Sequence, residues 1–350
     1  MNLRLPRVAV VVLNFNGLKW LPRCLSSVTR TKGLTVNIYV VDNASTDKSV
    51  HYVRKNFPNV RVIAHSTNLG FAAAYNRALA KIEADYFVLL NNDTEVLNPN
   101  WVQCLVKVAA ADPLMAAVSC KILSMEHPGH IDSVGVMGIP FWRGFVDIGK
   151  EEEDEGQYDT SEFEPFSFCG GAALLRRTVF EQVGGFDEKF FMYVEDVDLS
   201  WRLRLLDYRI GFAPYARVAH FFSGTRTVVA QKFYLSHRNL LRAILKNCGS
   251  SLRVALLNYL LFSLITGLGF CLFESEKAVA ILRAIIWNLL NLRDTYARRT
   301  AIQSTRKAKE SAVISRMYPK IRRYQPLDHR SSRQILDMLF EHRQSGGLRV

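Results

Sequence analysis

Cysteine is scarce and scattered. The six residues, Cys24, Cys104, Cys120, Cys169, Cys248 and Cys271, form no C-x-x-C pair, which excludes a thiolate zinc cluster and argues against a disulfide framework. A reducing compartment fits this usage. No G-x-G-x-x-G follows the first apolar run and no G-x-x-x-x-G-K-[ST] occurs anywhere. A dinucleotide dehydrogenase and a P-loop NTPase are therefore disfavoured. The N-terminus lacks the long apolar stretch and small-residue cleavage site of a secretory signal, so the chain reads as cytoplasmic. No internal repeat is present.

What is present is enough apolar material for a real core: 350 residues, 49% hydrophobic, suiting one α/β catalytic domain plus an appendage. Of the net charge of +13, residues 293–350 carry 14 Lys/Arg against 5 Asp/Glu, or +9. A basic tail can meet nucleic acid or an anionic membrane surface, and the segment before it separates the two. Val254 to Phe273 is twenty residues without a charge, long enough to span a bilayer but diluted by Asn258, Ser263, Thr266 and two glycines. It reads as a span, as a helix lying in the interface, or as a buried core helix. A second apolar stretch, Ala278 to Leu292 with Trp287, runs into Arg293, Arg298 and Arg299, a pattern of attachment to the inner face of a cytoplasmic membrane through 252–300. No nucleic-acid recognition motif accompanies the basic tail.

From Val8 onward, short fully apolar runs alternate with helical patterns. Val8 to Leu13, Val36 to Val41, Val60 to Ala64 and Tyr86 to Leu90 lack the period-two alternation of a half-wet sheet, so both their faces are expected to be covered. Helical patterns follow near Leu21 to Val28, Lys48 to Asn56 and Gly70 to Glu83. This order predicts a mostly parallel, Rossmann-like sheet flanked by helices, with ligands beyond the carboxyl ends of the strands. After a loose segment, Met125 to Thr160, whose acidic run Glu151 to Glu155 reads as solvated loop, order returns at Phe166 to Leu175. A helical segment then runs from Phe190 to Asp207 and a strand from Ile210 to His220. The division expected is a catalytic domain over 1–240 and an apolar, basic, helical region over 241–350.

The strand ends carry Asn14-Phe15-Asn16-Gly17, Asp42-Asn43-Ala44-Ser45-Thr46-Asp47, Asn68-Leu69-Gly70 and Asn91-Asn92-Asp93. Asp93, directly after an apolar strand, can ligate a hard cation shared with a diphosphate, although Asn and Asp also favour plain turns. Glu195-Asp196-Val197-Asp198 opens a helix, where acids complement the dipole and Asp198 can pair with Arg202. Yet the apolar approach Phe190 to Val194 also suits a carboxylate that acts as a general base. His220, at the end of the last strand, is on its own more often structural, and with Asp93 would complete a site for manganese or magnesium.

These motifs, with Gly170-Gly171-Ala172, Gly184-Gly185-Phe186-Asp187 and Glu195 through Arg202, stand in order and at suitable spacing across residues 7–240. Together they resemble the inverting glycosyltransferases of family 2, which have the GT-A fold. Tyr234 to Leu241, with His237-Arg238-Asn239, and the apolar-then-basic tail are similar to the rhamnosyltransferase-like branch of cell-surface glycan assembly. The resemblance implies that Asn14, Asn16, Asp42, Asn43 and Asn92 line the nucleotide pocket, with Asp42 on base or ribose, and that Asn68, Gly70 and Asn76 shape the wall beside the donor. It gives Asp93 the metal-binding place of a D-x-D element whose first acid is here Asn91, so that His220 gains weight as a ligand. It makes Asp196 the catalytic base and Glu195 its neighbour, with Gly170, Gly171, Trp201 and Arg202 on the acceptor or supporting side. A nucleoside-diphosphate sugar donor and a saccharide or lipid-linked acceptor follow. A sugar nucleotidyltransferase is the rival within enzymes, but Asn14 to Gly17 offers neither repeated glycines nor clustered positive charge. A non-catalytic glycan-binding protein is the other rival, and the retained Asp42, Asp93, Asp196 and His220 speak against it.

Overall fold

In the computed structural model, residues 5–139, 144–160, 163–221 and 229–318 are described. Strands β1 (Val8–Asn14), β2 (Val36–Asp42), β3 (Arg61–Ala64) and β4 (Tyr86–Asn91) lie in the order β3-β2-β1-β4, all parallel. Helices α1 (Leu21–Val28), α2 (Ser49–Asn56) and α3 (Gly70–Leu79) make the crossovers between them. The alternate residues of β1 serve two different cores. Val8, Val10 and Val12 pack with Leu21 and Leu25 of α1 and with Trp101 and Leu105 of α4 (Trp101–Ala110). Ala9 and Val11 pack with Ala74, Tyr75 and Ala78 of α3 and with Leu199 and Leu203 of α6 (Glu195–Leu205). Both faces are thus covered at β1 and β4, as their unbroken apolar runs require. The expectation fails at the sheet edge, where Asn37 of β2 and Arg61 and Ala64 of β3 are exposed, because an edge strand has neighbours on one side only.

Beyond β4 the parallel pattern stops. The sheet continues through β10 (Ala172–Arg176), antiparallel to β4 and to β6 (Met115–Ser124), then β11 (Arg209–His220), parallel to β6, and ends at β5 (Thr94–Val96). β10 arrives from the long 125–171 excursion instead of a helical crossover, so nothing constrains it to run parallel. That excursion holds β7 (Ile131–Ser133), paired with β6, and the ribbon of β8 (Val136–Ile139) and β9 (Gly144–Asp147). Its acidic run is not all solvated. Asp154 accepts from Nζ of the fully buried Lys121 at 2.6 Å, and Asp159 stands 2.5 Å from the same ammonium, because a buried cation needs carboxylate partners.

After α5 (Arg177–Gln182) and α6, the chain forms α7 (Val229–Asn247), α8 (Leu252–Phe273), α9 (Ser275–Leu290), α10 (Leu292–Ser304) and α11 (Glu310–Met317). Residues 1–318 form one compact unit. Residue 240, where the sequence places a division, stands inside α7. A third core joins Val197 and Trp201 of α6, Leu241 and Ile244 of α7, and Ala255 and Tyr259 of α8. A buried ionic network links the same helices: Asp198 pairs with Arg202 and Lys246 at 2.9 Å each, and Asp187 pairs with Arg242 at 2.9 Å and Lys246 at 2.5 Å. The segment 222–225 after His220 and the basic stretch 319–350 lie outside the described residues.

Candidate active site

The carboxyl ends of β1, β2 and β4 come together through one amide. Asn14, fully buried at the end of β1, donates to Asp42 Oδ1 at 2.8 Å, Ser49 Oγ at 3.0 Å and Ser45 Oγ at 3.1 Å, and its Oδ1 accepts from Asn92 Nδ2 at 2.8 Å. Asp42 turns its other oxygen to the Ser45 amide at 3.0 Å. Asn16 sits at φ 49°, a conformation that asparagine tolerates, and its side-chain oxygen accepts from the Thr46 amide at 2.8 Å. These residues tie the loops after β1 and β2 into one rigid rim; the amide of Asn14 is spent on that rim.

The next stretch of rim is equally committed. Asn43 donates to Asn68 Oδ1 at 2.8 Å and to the Gly70 carbonyl at 3.0 Å, and accepts from the Leu69 amide at 2.9 Å. Gly70 has φ 73°, and a Cβ there would stand 2.4 Å from the Phe191 carbonyl. Only glycine allows this approach. Asn76, further along α3, uses its amide on the backbone of Phe186, donating and accepting at 2.9 Å. It pins the 186–188 segment and brings its polar atoms to that segment, not to the wall beside Gly70.

Strand pairing builds the other side. β5 follows Asp93 directly and runs antiparallel to the end of β11, with His220 opposite Thr94, so that His220 Nε2 stands 3.3 Å from Asp93 Oδ1. β7 brings in Asp132, whose Oδ2 lies 2.7 Å from His220 Nδ1. Burial alone would push the imidazole down, but Asp132 and Asp93 hold it up to about 9. Beyond this ion-pair contact, Oδ1 of Asp93 is buried and has no hydrogen bond among the described residues, and a carboxylate on Nδ1 is the usual orienting partner of a metal-ligating histidine. This oxygen and nitrogen pair suits Mn2+ or Mg2+. Among the described residues no three His, Cys, Asp or Glu side chains form a metal cage, so the pair would leave other coordination positions to diphosphate and water.

The helical pattern expected from Phe190 begins only at Glu195. The residues before it cannot continue a helix backward, because Phe191, Tyr193 and Val194 take φ of 65°, 70° and 67°, in the left-handed region that strains non-glycine residues. Asp196 then accepts from the Gly170 amide at 2.9 Å and from the Val197 amide at 2.8 Å. A Cβ on Gly170 would stand 3.3 Å from that carboxylate and 3.2 Å from the Phe71 ring. Burial raises the Asp196 carboxyl to about 6 against the pull of these two amides. Glu195 is raised well above its ordinary value by burial and by Asp196 beside it, and its Oε2 has no hydrogen-bond partner among the described residues. Trp201 and Arg202 face inward: the indole is in the third core, and Arg202 donates to Asp198, Val183 and Gly185. Gly171 gives its carbonyl to the Asn91 amide at 3.0 Å.

These contacts form two chains. One runs from Asp42 through Asn14 and Asn92 to Asp93, His220 and Asp132, and the other from Asp196 through Gly170, Phe71 and Gly70 to Asn68 and Asn43. The charge of Asp147 of β9 reaches Asp132, His220 and Asp196, and burial raises its own carboxyl. Asp42, Asp93 and His220 thus belong to one chain of contacts, and Asp196 to another that leads back to Asn43, next to Asp42. Asp132 and Asp147 were not readable as members, because the segment that carries them shows no period; a lone acid between two apolar flanks, as at Val146-Asp147-Ile148, was the only hint.

Comparison with known proteins agrees with this picture. Residues 9–184 match the model of glycosyl transferase family 2. The chain is 30% identical over 234 residues to the N-acetylglucosaminyl-diphospho-decaprenol L-rhamnosyltransferase of Mycobacterium tuberculosis, covering 60% of this chain and 75% of that protein. It is 29% identical over 230 residues to the O-antigen biosynthesis protein RfbC of Myxococcus xanthus, covering 63% of this chain and 18% of that one. Among solved structures, the mannosyltransferase PcManGT from Pyrobaculum calidifontis, in complex with GDP-Man and Mn2+, aligns over 90% of this chain and 88% of its own, with TM-score 0.52 and 18% identity. GalNAc-T7 with UDP, GalNAc and Mn2+ aligns over 69% of this chain and 48% of its own, with TM-score 0.56 and 18% identity. At such identities the last two show the GT-A-like fold.

Proposed function

From the premise that this chain belongs to glycosyl transferase family 2 and is a glycosyltransferase that uses nucleotide sugars, we propose that it is an inverting, metal-dependent enzyme of the rhamnosyltransferase type. The acceptor hydroxyl gives its proton to Asp196 as its oxygen bonds to the anomeric carbon, and the bond from that carbon to the diphosphate oxygen breaks on the opposite side. One displacement inverts the anomeric configuration. The observation that carries this reading is Asp196 itself: a carboxyl raised to about 6 is largely ionised at neutral pH yet basic enough to take a proton. Glu195 beside it is held toward its neutral form. Asp42 and Asn43 face the nucleotide, and Asp93 with His220 would hold the divalent cation. When bound, that cation offsets the negative charge gathering on the leaving diphosphate.

The named Mycobacterium relative supports a rhamnose donor and a lipid-linked saccharide acceptor, and the nucleotide we assign to that donor is deoxythymidine diphosphate. The C-terminal helices support the place where such an acceptor is met. Val254, Leu257, Leu261, Leu264 and Leu268 of α8 recur at helical spacing and are exposed, Leu257 by 67% and Leu264 by 59%, while Ala255, Tyr259 and Ser263 on the other face are buried. Leu252–Cys271 is long and apolar enough to cross a membrane. However, its inner face packs on the folded unit, which favours a helix lying in the interface of the cytoplasmic leaflet over one that spans it. Leu282, Ile286 and Leu289 of α9 extend the apolar face, and the exposed Arg253 and Arg293 stand near its ends.

The test is transfer from deoxythymidine-diphosphate rhamnose to a diphospholipid-linked N-acetylglucosamine with Mn2+, with the product anomer read by NMR. Retained configuration rejects the single displacement, and full activity after chelation rejects the cation. Flotation with anionic vesicles tests the surface: Leu264→Asp/Leu268→Asp should abolish binding, and unchanged binding rejects the membrane assignment.

A further inference from the structure

The backbone that delivers Asp196 is strained, and groups outside it hold it. Phe191, Tyr193 and Val194 all lie in the left-handed region, where a β-branched residue is a genuine outlier. No residue separates this segment from Glu195-Asp196, so any relaxation would turn the start of α6. Its carbonyls are gripped from α7. Asn239, fully buried, brings its amide nitrogen to the carbonyls of Phe190 at 2.9 Å, Met192 at 2.9 Å and Tyr193 at 2.7 Å. An amide has two hydrogens for these three acceptors, so one is shared. Arg238 donates to Phe190 at 2.7 Å and Lys189 at 2.8 Å, and its Nε orients the Asn239 oxygen at 2.9 Å. From the opposite side the Phe71 amide of α3 donates to the Phe191 carbonyl.

We infer that Arg238 and Asn239 are positioning residues for sugar transfer: by fixing residues 190–194 in a conformation the chain would otherwise leave, they set where Asp196 stands against the acceptor. Neither side chain need touch a substrate. The grip is braced in turn, since Asn288 of α9 donates to the Arg238 carbonyl at 2.9 Å.

This inference rests on Asp196 as the base, so Asp196→Asn is measured alongside. In steady-state kinetics Asn239→Ala should lower kcat about 100-fold, the loss a displacement of about 1 Å produces, while KM for the donor stays within about threefold. Nucleoside-diphosphate affinity should be unchanged. Asn239→Asp keeps the shape but faces carbonyl oxygens with a carboxylate, and should lose at least as much. Adding Val194→Gly to Asn239→Ala should restore about tenfold in kcat, because glycine enters the left-handed region freely. A merely structural amide would lower the melting temperature and leave kcat per folded molecule unchanged, with no rescue by glycine; that result overturns the inference. Should Asn239→Ala not fold, Arg238→Met, which removes the outer half of the same grip, is judged identically, and unchanged kcat is again the overturning outcome. An active Asp196→Asn would refute the base assignment whatever the Asn239 variants do. An inactive Asp196→Asn with fully active Asn239 and Arg238 variants would refute the positioning role alone.

Discussion

Two pairs of carboxylates stand within a dozen residues of one another and meet opposite fates. Asp187 and Asp198 are buried against Arg242, Lys246 and Arg202, and although burial would raise them, these cations hold both carboxyls below their ordinary value. Glu195 and Asp196 open the same helix as Asp198, yet among the described residues no cation forms an ion pair with them, and burial carries both upward. The start of α6 thus holds an acid spent on cations beside two that are not, and in the proposed reading only the latter serve the reaction; the direction of the pKa shift separates them.

The sharpest way to break this contrast is to neutralise one acid of each pair. Asp196→Asn should lower kcat by about 10³-fold or more, within the range expected for a lost general base, with donor binding retained; steady-state turnover beside nucleotide titration reads both. Asp198→Asn should do the reverse. Removing one partner from a buried ionic network costs about 3–5 kcal/mol, visible in urea unfolding, while kcat per folded molecule stays within a few-fold. If Asp198→Asn were as inactive as Asp196→Asn and equally stable, the division of labour would be wrong.

A smaller effect lies in pH. Ionised Asp196 is the working form, with Glu195, Asp147 and Cys169 as its titratable neighbours, so kcat should climb about tenfold per pH unit below a midpoint near 6 and level off above it. In Asp196→Asn the residual rate should lose that limb. Stability should split the two pairs by sign. Carboxyls raised in the folded state stabilise it below the ordinary carboxylate pKa, and that contribution fades as pH climbs through the folded value near 6. Carboxyls lowered in the folded state contribute above the ordinary value and lose that contribution as pH falls through their depressed one. The smallest expected change is accordingly in Glu195→Gln. It should raise the melting temperature by about 1–2 °C at pH 8, the shift that about 1 kcal/mol gives a chain of 350 residues, and leave it unchanged at pH 4; differential scanning calorimetry reads the pair.

Much of the fold was legible in the sequence because burial writes directly into composition. Strands β1 and β4 are covered on both faces and therefore unbroken apolar runs, and their polar ends, with that of β2, mark the candidate site. The antiparallel entry of β10 was not legible, since pairing direction depends on how a distant segment returns and leaves no local period. Asp93 and His220 were readable as candidates because each follows an apolar strand. Asp132 and Asp147 were hidden in short strands that take their order from neighbours. The inward turn of Arg202 and the role of Asn239 were likewise hidden, because a buried polar side chain looks like a surface one until its partners are known. The left-handed run before Glu195 could not be foreseen either: Phe191, Tyr193 and Val194 have no intrinsic taste for it, and the conformation is imposed from α3 and α7.

One detail of the cysteines turns the apolar helix into its own instrument. Burial raises the Cys24 thiol to about 12 and lifts those of Cys104, Cys120, Cys169 and Cys248 as well, whereas Cys271 is exposed on α8. A thiol-directed dye added to the unaltered protein should thus settle on that helix in preference to the interior, and its emission would report the polarity of whatever α8 rests against.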